Sequence, residues 1–252
     1  MEDLPRIKKK EERESTYCEL TKKHGLADLF SRISSTYDLI NHLLTFGLDT
    51  YWRWQAVKKV SNFEGSFWLD VCTGPGNMAR LLARQGRKEI KIVALDFSWP
   101  MLCALRRKKN PKSRLLPLMA QAASLPFKSD SIDLITLAFA TRNLFSSSKH
   151  LLSCFQEFHR VLRPGGLYLN LETSQPNQPF LRQVFHFYVR KLIKPIGRMI
   201  SGDEVAYSYL ANTIPRFLNQ IELKSLLIEA GFKKVDIVPL TGGIVAVHLA
   251  YK

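Results

Sequence analysis

The sequence of 252 residues lacks long apolar runs and contains few cysteines and histidines. Its four cysteines stand far apart without C-x-x-C spacing, so disulfides and a zinc site are not expected, and a reducing cytosol is the simplest setting. No apolar run reaches membrane-spanning length, and no signal peptide is expected at the start. The six histidines show no metal-binding spacing, and no Ser/His/Asp arrangement is evident. We therefore predict no metal site.

Acidic residues are also scarce, because 22 of them face 37 lysines and arginines, which leaves a formal net charge of +15. One basic cluster, residues 106–109, ends a predicted helix, where cations complement the helix dipole. A second set recurs every four residues through the aromatic-rich stretch 180–200: Arg182, His186, Arg190, Lys194 and Arg198. We predict an amphipathic helix with a basic ridge up to about Lys194, where Pro195 interrupts. Such a helix either packs on the domain or rests on an anionic membrane.

The most informative stretch is Leu-Asp-Val-Cys-Thr-Gly-Pro-Gly-Asn at positions 69–77. An apolar run ends in Asp70, a turn with Gly74 and Gly76 follows, and a helical pattern comes next. This order predicts a strand that feeds a helix through a tight loop, where the backbone can approach a nucleotide closely. Asp96 ends the next apolar run and can accept hydrogen bonds from both ribose hydroxyls of an adenosine. The pattern therefore predicts a nucleoside-bearing cofactor.

Two cofactors compete for this loop. Residues 74–79 fit the G-x-G-x-x-A pattern of nicotinamide dehydrogenases, in which the first glycine follows the strand at once. Here Gly74 comes four positions after Asp70, and an acid at that point would repel a pyrophosphate. It suits S-adenosylmethionine, which carries a sulfonium and an amino group. A plain strand-turn-helix with an incidental acid is the simplest alternative, because short glycine motifs are weak alone.

Apolar runs alternate with helical patterns along the rest of the chain, which predicts an α/β fold with a doubly wound, mostly parallel sheet. The predicted strands are 67–71, 91–96, 115–119, 132–139, 166–172, 232–238 and 244–250. The predicted helices are 76–86, 98–109, 148–162, 179–194, 204–213 and 219–230, with a sharp turn at 163–166. Residues 1–15 mix both charges and are predicted to be disordered. Residues 16–252 are predicted to form one domain: a helical cap (16–62) and a Rossmann-like core (63–252) with an amphipathic insertion (179–213).

The chain resembles the quinone-biosynthesis C-methyltransferases, the demethylmenaquinone and 2-polyprenyl-6-methoxy-1,4-benzoquinol enzymes, from about residue 30 to the end. The resemblance rests on separated blocks: 37–41 with 46–48, 69–77, 125–127, 142–143, 160–166, 171–176, 207–210, 230–232 and 240–252. The first block, the Arg142-Asn143 pair and the last block are the specific ones. The resemblance implies a class I methyltransferase sheet of seven strands, mostly parallel with an antiparallel last strand, and S-adenosylmethionine as cofactor.

Carried over to this sequence, the resemblance and the loop pattern together give one set of cofactor-binding positions. They are Asp70, Thr73, Gly74, Pro75, Gly76, Asp96, Phe97, Gln121, Ala122 and Ala138. Three residues in or near this set depart from the family: Pro75 replaces the usual Thr, Asn77 replaces the usual Asp, and Gln121 replaces an Asn or Asp. Gln is one methylene longer than Asn and can still hydrogen-bond an amino group. We expect these departures to alter the affinity for the cofactor rather than its identity.

The resemblance implies C-methylation of a polyprenylated quinol ring, with demethylmenaquinol as the first substrate to test and the choice between naphthoquinol and benzoquinol open. Ionising the ring hydroxyl activates the neighbouring carbon, so the protein must favour an oxyanion. The predicted catalytic residues are Arg142, which stabilises the oxyanion or polarises a water, Asn143, which orients the ring oxygens, and Tyr37. The alternative is that Arg142 forms a surface salt bridge and that Asn143 is simply a residue of a turn.

Other aromatic and polar side chains are predicted to wall the substrate pocket. They are Asn41 and either Tyr207 or Tyr209, for which ordinary packing is the alternative. His248 lies in a closing strand, where we expect it to be structural.

A lipid quinol substrate would explain the basic, aromatic segment 180–198 as a contact with an anionic membrane, so we expect a cytoplasmic protein that could sit peripherally on the inner face. Whether it forms a homodimer stays open. A nucleic-acid methyltransferase would suit the charge, but residues 138–143 lack the Asn/Asp-Pro-Pro-aromatic loop, and no nucleic-acid partner is expected. A dehydrogenase predicts NADH binding. A non-catalytic partner subunit, the third rival, predicts no cofactor binding.

Overall fold

The computed structural model describes residue 25 and residues 36–86, 89–108, 114–201 and 204–252. The predicted disordered tail (1–15), most of residues 16–35 of the predicted cap, and Lys109 of the first basic cluster lie outside the described residues. The strands are β1 (Phe67–Val71), β2 (Lys91–Asp96), β3 (Leu115–Met119), β4 (Ile132–Ala138), β5 (Leu162–Thr173), β6 (Lys234–Leu240) and β7 (Val245–Tyr251). The helices are α1 (Tyr37–Leu44), α2 (Leu48–Lys58), α3 (Asn77–Gln85), α4 (Trp99–Arg107), α5 (Thr141–Leu144), α6 (Ser148–Val161), α7 (Pro179–Ser201), α8 (Glu204–Thr213) and α9 (Gln220–Glu229).

The seven strands form one sheet in the order β3-β2-β1-β4-β5-β7-β6. The pairs among β1 to β5 are parallel, whereas β7 is antiparallel to both β5 and β6. The central strands are buried on both faces, which is why they appear in the sequence as continuous apolar runs. The predicted fold class, a mostly parallel seven-stranded methyltransferase sheet with an antiparallel last strand, is confirmed.

Helices cover both faces of the sheet and leave a third apolar cluster beside it. One face packs against α6 and α9 through Phe155, Phe158 and Leu227, among others. The other face packs against α2 and α3. The third cluster joins α1 to α7 and α8, with Ile40 and Tyr207 at its centre. The cap and the insertion therefore share their own small core above the carboxyl ends of the strands, where an α/β sheet binds ligands.

Two predicted features are wrong, and the other predicted elements differ from the structure by at most two residues at either end. The amphipathic helix does not end at residue 194, because α7 continues through Pro195 to Ser201. A proline inside a helix removes one backbone hydrogen bond, but α7 is held by packing: Gly197 lies so close to the ring of Tyr207 that a side chain would not fit. The turn predicted at 163–166 belongs to β5, which begins at Leu162, and an irregularity in the pairing of β4 with β5 takes up the bend.

A polar contact ties the cap to the core. The side-chain amide of Asn77, at the start of α3, donates to Asp38 of α1 at 2.7 Å and accepts from Lys108 at 2.9 Å. Lys108 also forms an ion pair with Asp38. An amide can donate and accept at once, whereas the aspartate that the resemblance leads us to expect here could not donate to Asp38. Asn77 thus joins Asp38 and Lys108 in a latch.

Replacing Asn77 with Asp should loosen the cap. The new carboxylate repels Asp38, and we expect the local opening free energy of α1 to fall by about 0.5–1 kcal/mol, because the latch is partly exposed. Hydrogen exchange of α1 measures this better than global melting does, since an acid in the first turn favours α3 itself. Asn212→Asp on α8 adds the same charge elsewhere and serves as the control. Equal exchange in α1 of both variants would contradict the latch.

Candidate active site

A cavity of about 340 Å³ lies at the carboxyl ends of β1, β2 and β4. Every predicted cofactor residue except Gly76 lines it: Asp70, Thr73, Gly74, Pro75, Asp96, Phe97, Gln121, Ala122 and Ala138. We call it the cofactor cavity. Gly76 instead supports the loop, because its φ of +80° and its contact with Leu105 of α4 both require a residue without a side chain. The sequence motif therefore marks the cavity and also the packing that shapes it.

Asp70 organises the glycine loop from the end of β1. Its Oδ1 accepts a hydrogen bond from the Thr136 hydroxyl at 2.6 Å, and its Oδ2 accepts from the Thr73 hydroxyl at 2.6 Å and from the backbone N–H of Ala79 at 3.1 Å. Burial raises the pKa of Asp70 to about 6, against the effect of these bonds. Its charge faces the cavity while its oxygens hold β4, the loop and α3 together. A cationic ligand is what this environment favours.

Asp96 stands at the end of β2 with both oxygens engaged by backbone donors. The N–H of Gly74 donates to Oδ2 and the N–H of Ser98 donates to Oδ1, both at 2.8 Å. Each carboxylate oxygen has a second lone pair, so two further donors such as ribose hydroxyls can be accepted. Burial raises the pKa of this carboxyl as well. Gln121 lies exposed at the rim of the cavity, whereas Ala122 is buried.

A second cavity of about 350 Å³ adjoins the first and lies under the cap. Its walls are mostly apolar and come from α1, α2, α7 and α8, with Leu44, Trp52, Phe185, Tyr188 and Ile193 among them. We call it the substrate cavity. Tyr37, Arg53 and Asn143 line both cavities, so they mark the junction where two ligands would meet. The predicted pocket walls Asn41, Tyr207 and Tyr209 all line the substrate cavity.

Arg142 is buried beside the substrate cavity, with 5% of its surface exposed. Its Nη1 lies 3.1 Å from the Thr173 hydroxyl oxygen and 3.5 Å from Oε1 of Glu172, and its backbone N–H donates to Oε2 of the same glutamate. The alternative of a surface salt bridge is therefore wrong. Asn143 accepts a hydrogen bond from the Tyr209 hydroxyl at 3.4 Å. The three predicted catalytic residues thus lie around one space, although their roles stay predictions.

The electrostatics of Tyr37 reflect the same junction. Burial raises the pKa of the Tyr37 hydroxyl, while the positive charges of Arg53 and Arg142 act in the opposite direction. Burial also raises the pKa of Tyr209 to about 12. Both tyrosines therefore stay neutral at ordinary pH and can donate or accept a hydrogen bond.

The structure agrees with the prediction for His248 but not with the prediction for His186. His248 is buried outside both cavities, its Nε2 lies 3.0 Å from the carbonyl oxygen of Gln220, and burial lowers its pKa to about 4. The expected structural role fits this position. His186 was predicted in the basic ridge, but its Nε2 lies 2.7 Å from Oε1 of Gln175, and burial lowers its pKa. The prediction that His186 is part of the basic ridge is therefore wrong.

Sequence reasoning missed Arg53 and Glu172. A signal for Arg53 existed, because Asp49, Trp52, Arg53, Ala56 and Val57 form the buried stripe of α2 at helical spacing. An acid and a base four residues apart on an otherwise apolar stripe predict a buried ion pair. Glu172 could be recognised only once β5 brought it beside Arg142. Within the described residues, no group of His, Cys, Asp or Glu has the arrangement of a metal site.

The sheet order, the glycine loop and the acid at the end of β2 together define a class I S-adenosylmethionine-dependent methyltransferase. Solved structures share this fold. A methyltransferase from Thermotoga maritima has a TM-score of 0.63 at 20% identity and covers 89% of this chain and 98% of its own. Human N-acetylserotonin methyltransferase, solved with S-adenosylmethionine, has a TM-score of 0.59 at 18% identity and covers 87% of this chain and 58% of its own.

The family model of the ubiE/COQ5 methyltransferase family matches residues 18–252, so the chain belongs to that family. It is 37% identical over 239 residues to the ubiquinone/menaquinone biosynthesis C-methyltransferase UbiE of Rickettsia felis, covering 92% of this chain and 94% of the relative. The protein of the same name from Rickettsia rickettsii (strain Sheila Smith) is 36% identical over 238 residues, with 92% of this chain and 94% of the relative covered. The predicted family, the enzyme class (an S-adenosylmethionine-dependent C-methyltransferase) and the cofactor are confirmed, and the dehydrogenase interpretation of the glycine loop is set aside.

Binding of S-adenosylhomocysteine should depend on the ionisation of Asp70. We expect the affinity to be level above about pH 7 and to fall as the pH drops through about 6, because the amino group of the ligand favours the carboxylate and the pKa of Asp70 is raised to about 6. Asp96, whose pKa is raised too, adds to the fall. Calorimetry across this range measures it.

Asp70→Asn should bind about tenfold more weakly, with a shallower pH profile, whereas Asp236→Asn, remote from both cavities, serves as the control. The effect of pH on folding stability has the opposite sign to its effect on ligand binding. Because the folded pKa of Asp70 exceeds its ordinary 3.8, its contribution to the free energy of unfolding is present below pH 3.8 and is lost as the pH rises through about 6. An affinity that stays level from about pH 5 to 8 would contradict the assignment of Asp70.

Proposed function

We propose that this enzyme methylates a ring carbon of a polyprenylated quinol, with demethylmenaquinol as the first substrate and a demethylated benzoquinol as the second. The observation that carries the proposal is the junction of the two cavities. A polar end, formed by Tyr37, Arg142 and Asn143, adjoins the cofactor cavity, and an apolar cavity extends behind it. A quinol head with an apolar tail matches this division. The names of the Rickettsia relatives, which refer to ubiquinone and menaquinone biosynthesis, support the same substrate class.

The residues at the junction suit the chemistry of a quinol ring. Bound S-adenosylmethionine supplies an electrophilic methyl group and keeps the electron pair of the broken bond on its sulfur, leaving S-adenosylhomocysteine. The ring hydroxyl loses its proton to solvent, and the buried guanidinium of Arg142 stabilises the oxyanion, since charge is worth more where water is excluded. The ring carbon then forms the new C–C bond and gives up its own proton to solvent, which restores the aromatic ring.

Arg142 cannot serve as the base, because a guanidinium does not lose its proton in proteins. Glu172, 3.5 Å from Nη1 of Arg142, keeps the guanidinium in place, and the Asn143 amide can hold a ring oxygen. The apolar walls of the substrate cavity exclude water from the methyl donor. The protein thus acts by positioning and by stabilising charge.

Transfer of label from methyl-labelled S-adenosylmethionine to each quinol in detergent tests the proposal. We expect label in the ring of demethylmenaquinol, and Arg142→Gln should lower kcat by about a hundredfold or more, as the loss of an oxyanion donor does. Arg163→Gln makes the same replacement at an arginine that pairs with Asp133 and lines neither cavity, and it serves as the matched control. If neither quinol takes up label while S-adenosylhomocysteine still binds, the acceptor is another molecule and the proposal fails.

We infer further that one surface of α7 rests on an anionic membrane. Phe180, Val184 and Phe187 are exposed on one side of α7, and Phe46, which is 80% exposed, packs its ring 5.9 Å from that of Tyr188. Phe46 also has a φ of +51°, a backbone conformation that non-glycine residues rarely adopt. Phe46 and Val184 also line the substrate cavity, so this apolar surface borders it.

The charge of the same helix supports an anionic membrane as the partner of this surface. Arg190, Lys191, Lys194 and Arg198 are exposed along the second half of α7. Apolar rings beside a basic segment match the interface of an anionic bilayer. In the described residues, no helix combines the length and apolar character needed to cross a bilayer. A lipid quinol could thus pass from the membrane surface into the substrate cavity.

Charge reversal of Arg190, Lys191 and Lys194 to Glu should abolish co-sedimentation with phosphatidylglycerol vesicles, because each basic residue contributes about 1 kcal/mol. Reversal of Lys128, Lys149 and Lys233 changes the net charge equally on other surfaces and serves as the matched control. Phe46→Ser should weaken binding also to neutral vesicles. The membrane contact is excluded if both triple variants sediment alike.

A further inference from the structure

Arg53 is a buried cation that faces both cavities. It lies on α2 with 7% of its surface exposed, and it lines the cofactor cavity and the substrate cavity alike. It is near enough to the predicted site residues to act on them, since its charge lowers the pKa of Asp70 and of Tyr37 against the effect of burial. A buried cation at such a point needs an anionic partner.

Asp49 is one such partner, and it engages a single nitrogen of the guanidinium. Nη1 of Arg53 donates to Oδ2 of Asp49 at 2.6 Å and to the Asp49 carbonyl oxygen at 3.1 Å. Asp49 is fixed in turn, because its Oδ1 lies 2.9 Å from Nδ1 of His42 and accepts from the Thr45 hydroxyl at 3.3 Å. The guanidinium carbon lies 5.0 Å from the ring centre of Phe139. These contacts hold one edge of the guanidinium and define its position.

The other edge of the guanidinium remains available. Its Nε and Nη2 donate to no acceptor in the part of the chain that the structure describes. Two adjacent N–H groups of arginine match the two oxygens of a carboxylate, and such paired bonds are strong when shielded from water. The arrangement is a preorganised site for an anionic oxygen pair.

We propose that Arg53 binds the carboxylate of the methionine end of the cofactor. Among the described residues that line the cofactor cavity, Arg53 is the only one with a permanent positive charge. Asp70, with the opposite charge, lines the same cavity, so the two complement a zwitterion: the carboxylate faces Arg53 and the amino group faces Asp70. Asp96, at the end of β2, would accept the ribose hydroxyls, and the adenine would then lie toward Gln121. Arg142, in the substrate cavity, remains for the oxyanion of the quinol.

This proposal rests on the proposed function and deepens it, because it makes a residue of the cap part of the cofactor site. It is tested by calorimetry with S-adenosylhomocysteine and with its decarboxylated analogue, 5′-deoxy-5′-(3-aminopropylthio)adenosine, which keeps the amino group. The natural protein should bind S-adenosylhomocysteine at least about tenfold more tightly than the analogue. In Arg53→Met this preference should vanish through loss of affinity for S-adenosylhomocysteine alone. Arg53→Lys should recover part of it.

Arg142→Gln, which changes a cation of the substrate cavity only, should keep the natural preference and serves as the matched control. The comparison of the two ligands on the unaltered protein needs no variant to fold. Equal affinity of that protein for both ligands would overturn the proposal, as would an unchanged preference in Arg53→Met. If Arg53→Met kept its affinity for S-adenosylhomocysteine but raised the KM for quinol, Arg53 would bind the quinol oxygen instead, and the proposal would fail. Failure of the natural protein to bind S-adenosylhomocysteine at all would contradict the proposed function itself.

Discussion

The hydrogen bonds of Asp70 are the interaction on which the rest of the site depends. One buried carboxylate joins the end of β1 to Thr136 on β4, to the Thr73 hydroxyl in the loop and to the backbone of α3. The loop therefore has one defined path, on which the N–H of Gly74 reaches Asp96 at the end of β2. Burying the carboxylate is unfavourable, as its raised pKa shows, and three donors and the positive charge of Arg53 offset that cost. The same charge that organises the apoprotein is the one that a cationic cofactor requires.

The cap encloses the part of the cofactor cavity that the ends of the strands leave open. The sheet alone provides the floor of the cofactor cavity, whereas Tyr37 and Arg53 come from α1 and α2 and line both cavities. The latch of Asp38, Asn77 and Lys108 and the apolar cluster shared with α7 and α8 hold the cap over the strand ends. The walls of the substrate cavity thus come mostly from the cap and the insertion, whereas the sheet supplies Asp70 and Asp96 to the cofactor cavity.

Much of the fold could be predicted from local patterns. β1, β2 and β3 have the predicted bounds, because doubly covered strands are continuous apolar runs that end in turn residues. The glycine loop and Asp96 could be predicted because their chemistry is encoded in neighbouring residues. The extension of α7 past Pro195 could not, since packing of Gly197 against Tyr207 outweighs the local effect of proline.

The same limit applies to the site. That Arg142 is buried follows from its pairing with Glu172, which is thirty positions away in the chain and adjacent only in the sheet. The role of Asn77 likewise depends on Asp38 and Lys108, which only the folded cap brings near. Side chains that act through tertiary partners leave a weak signal in sequence, whereas the buried stripe of α2 shows that some signals, such as Asp49 with Arg53, can be recognised.

The central claim is that a cofactor and a quinol meet at one junction between two cavities. A crystal structure with S-adenosylhomocysteine and a short-chain demethylmenaquinol tests it most directly. Our account predicts the ring between Tyr37, Arg142 and Asn143, its unsubstituted carbon turned toward the sulfur, and the tail along the apolar walls of α7 and α8. A quinol bound elsewhere, or a junction closed when the cofactor is present, would contradict it.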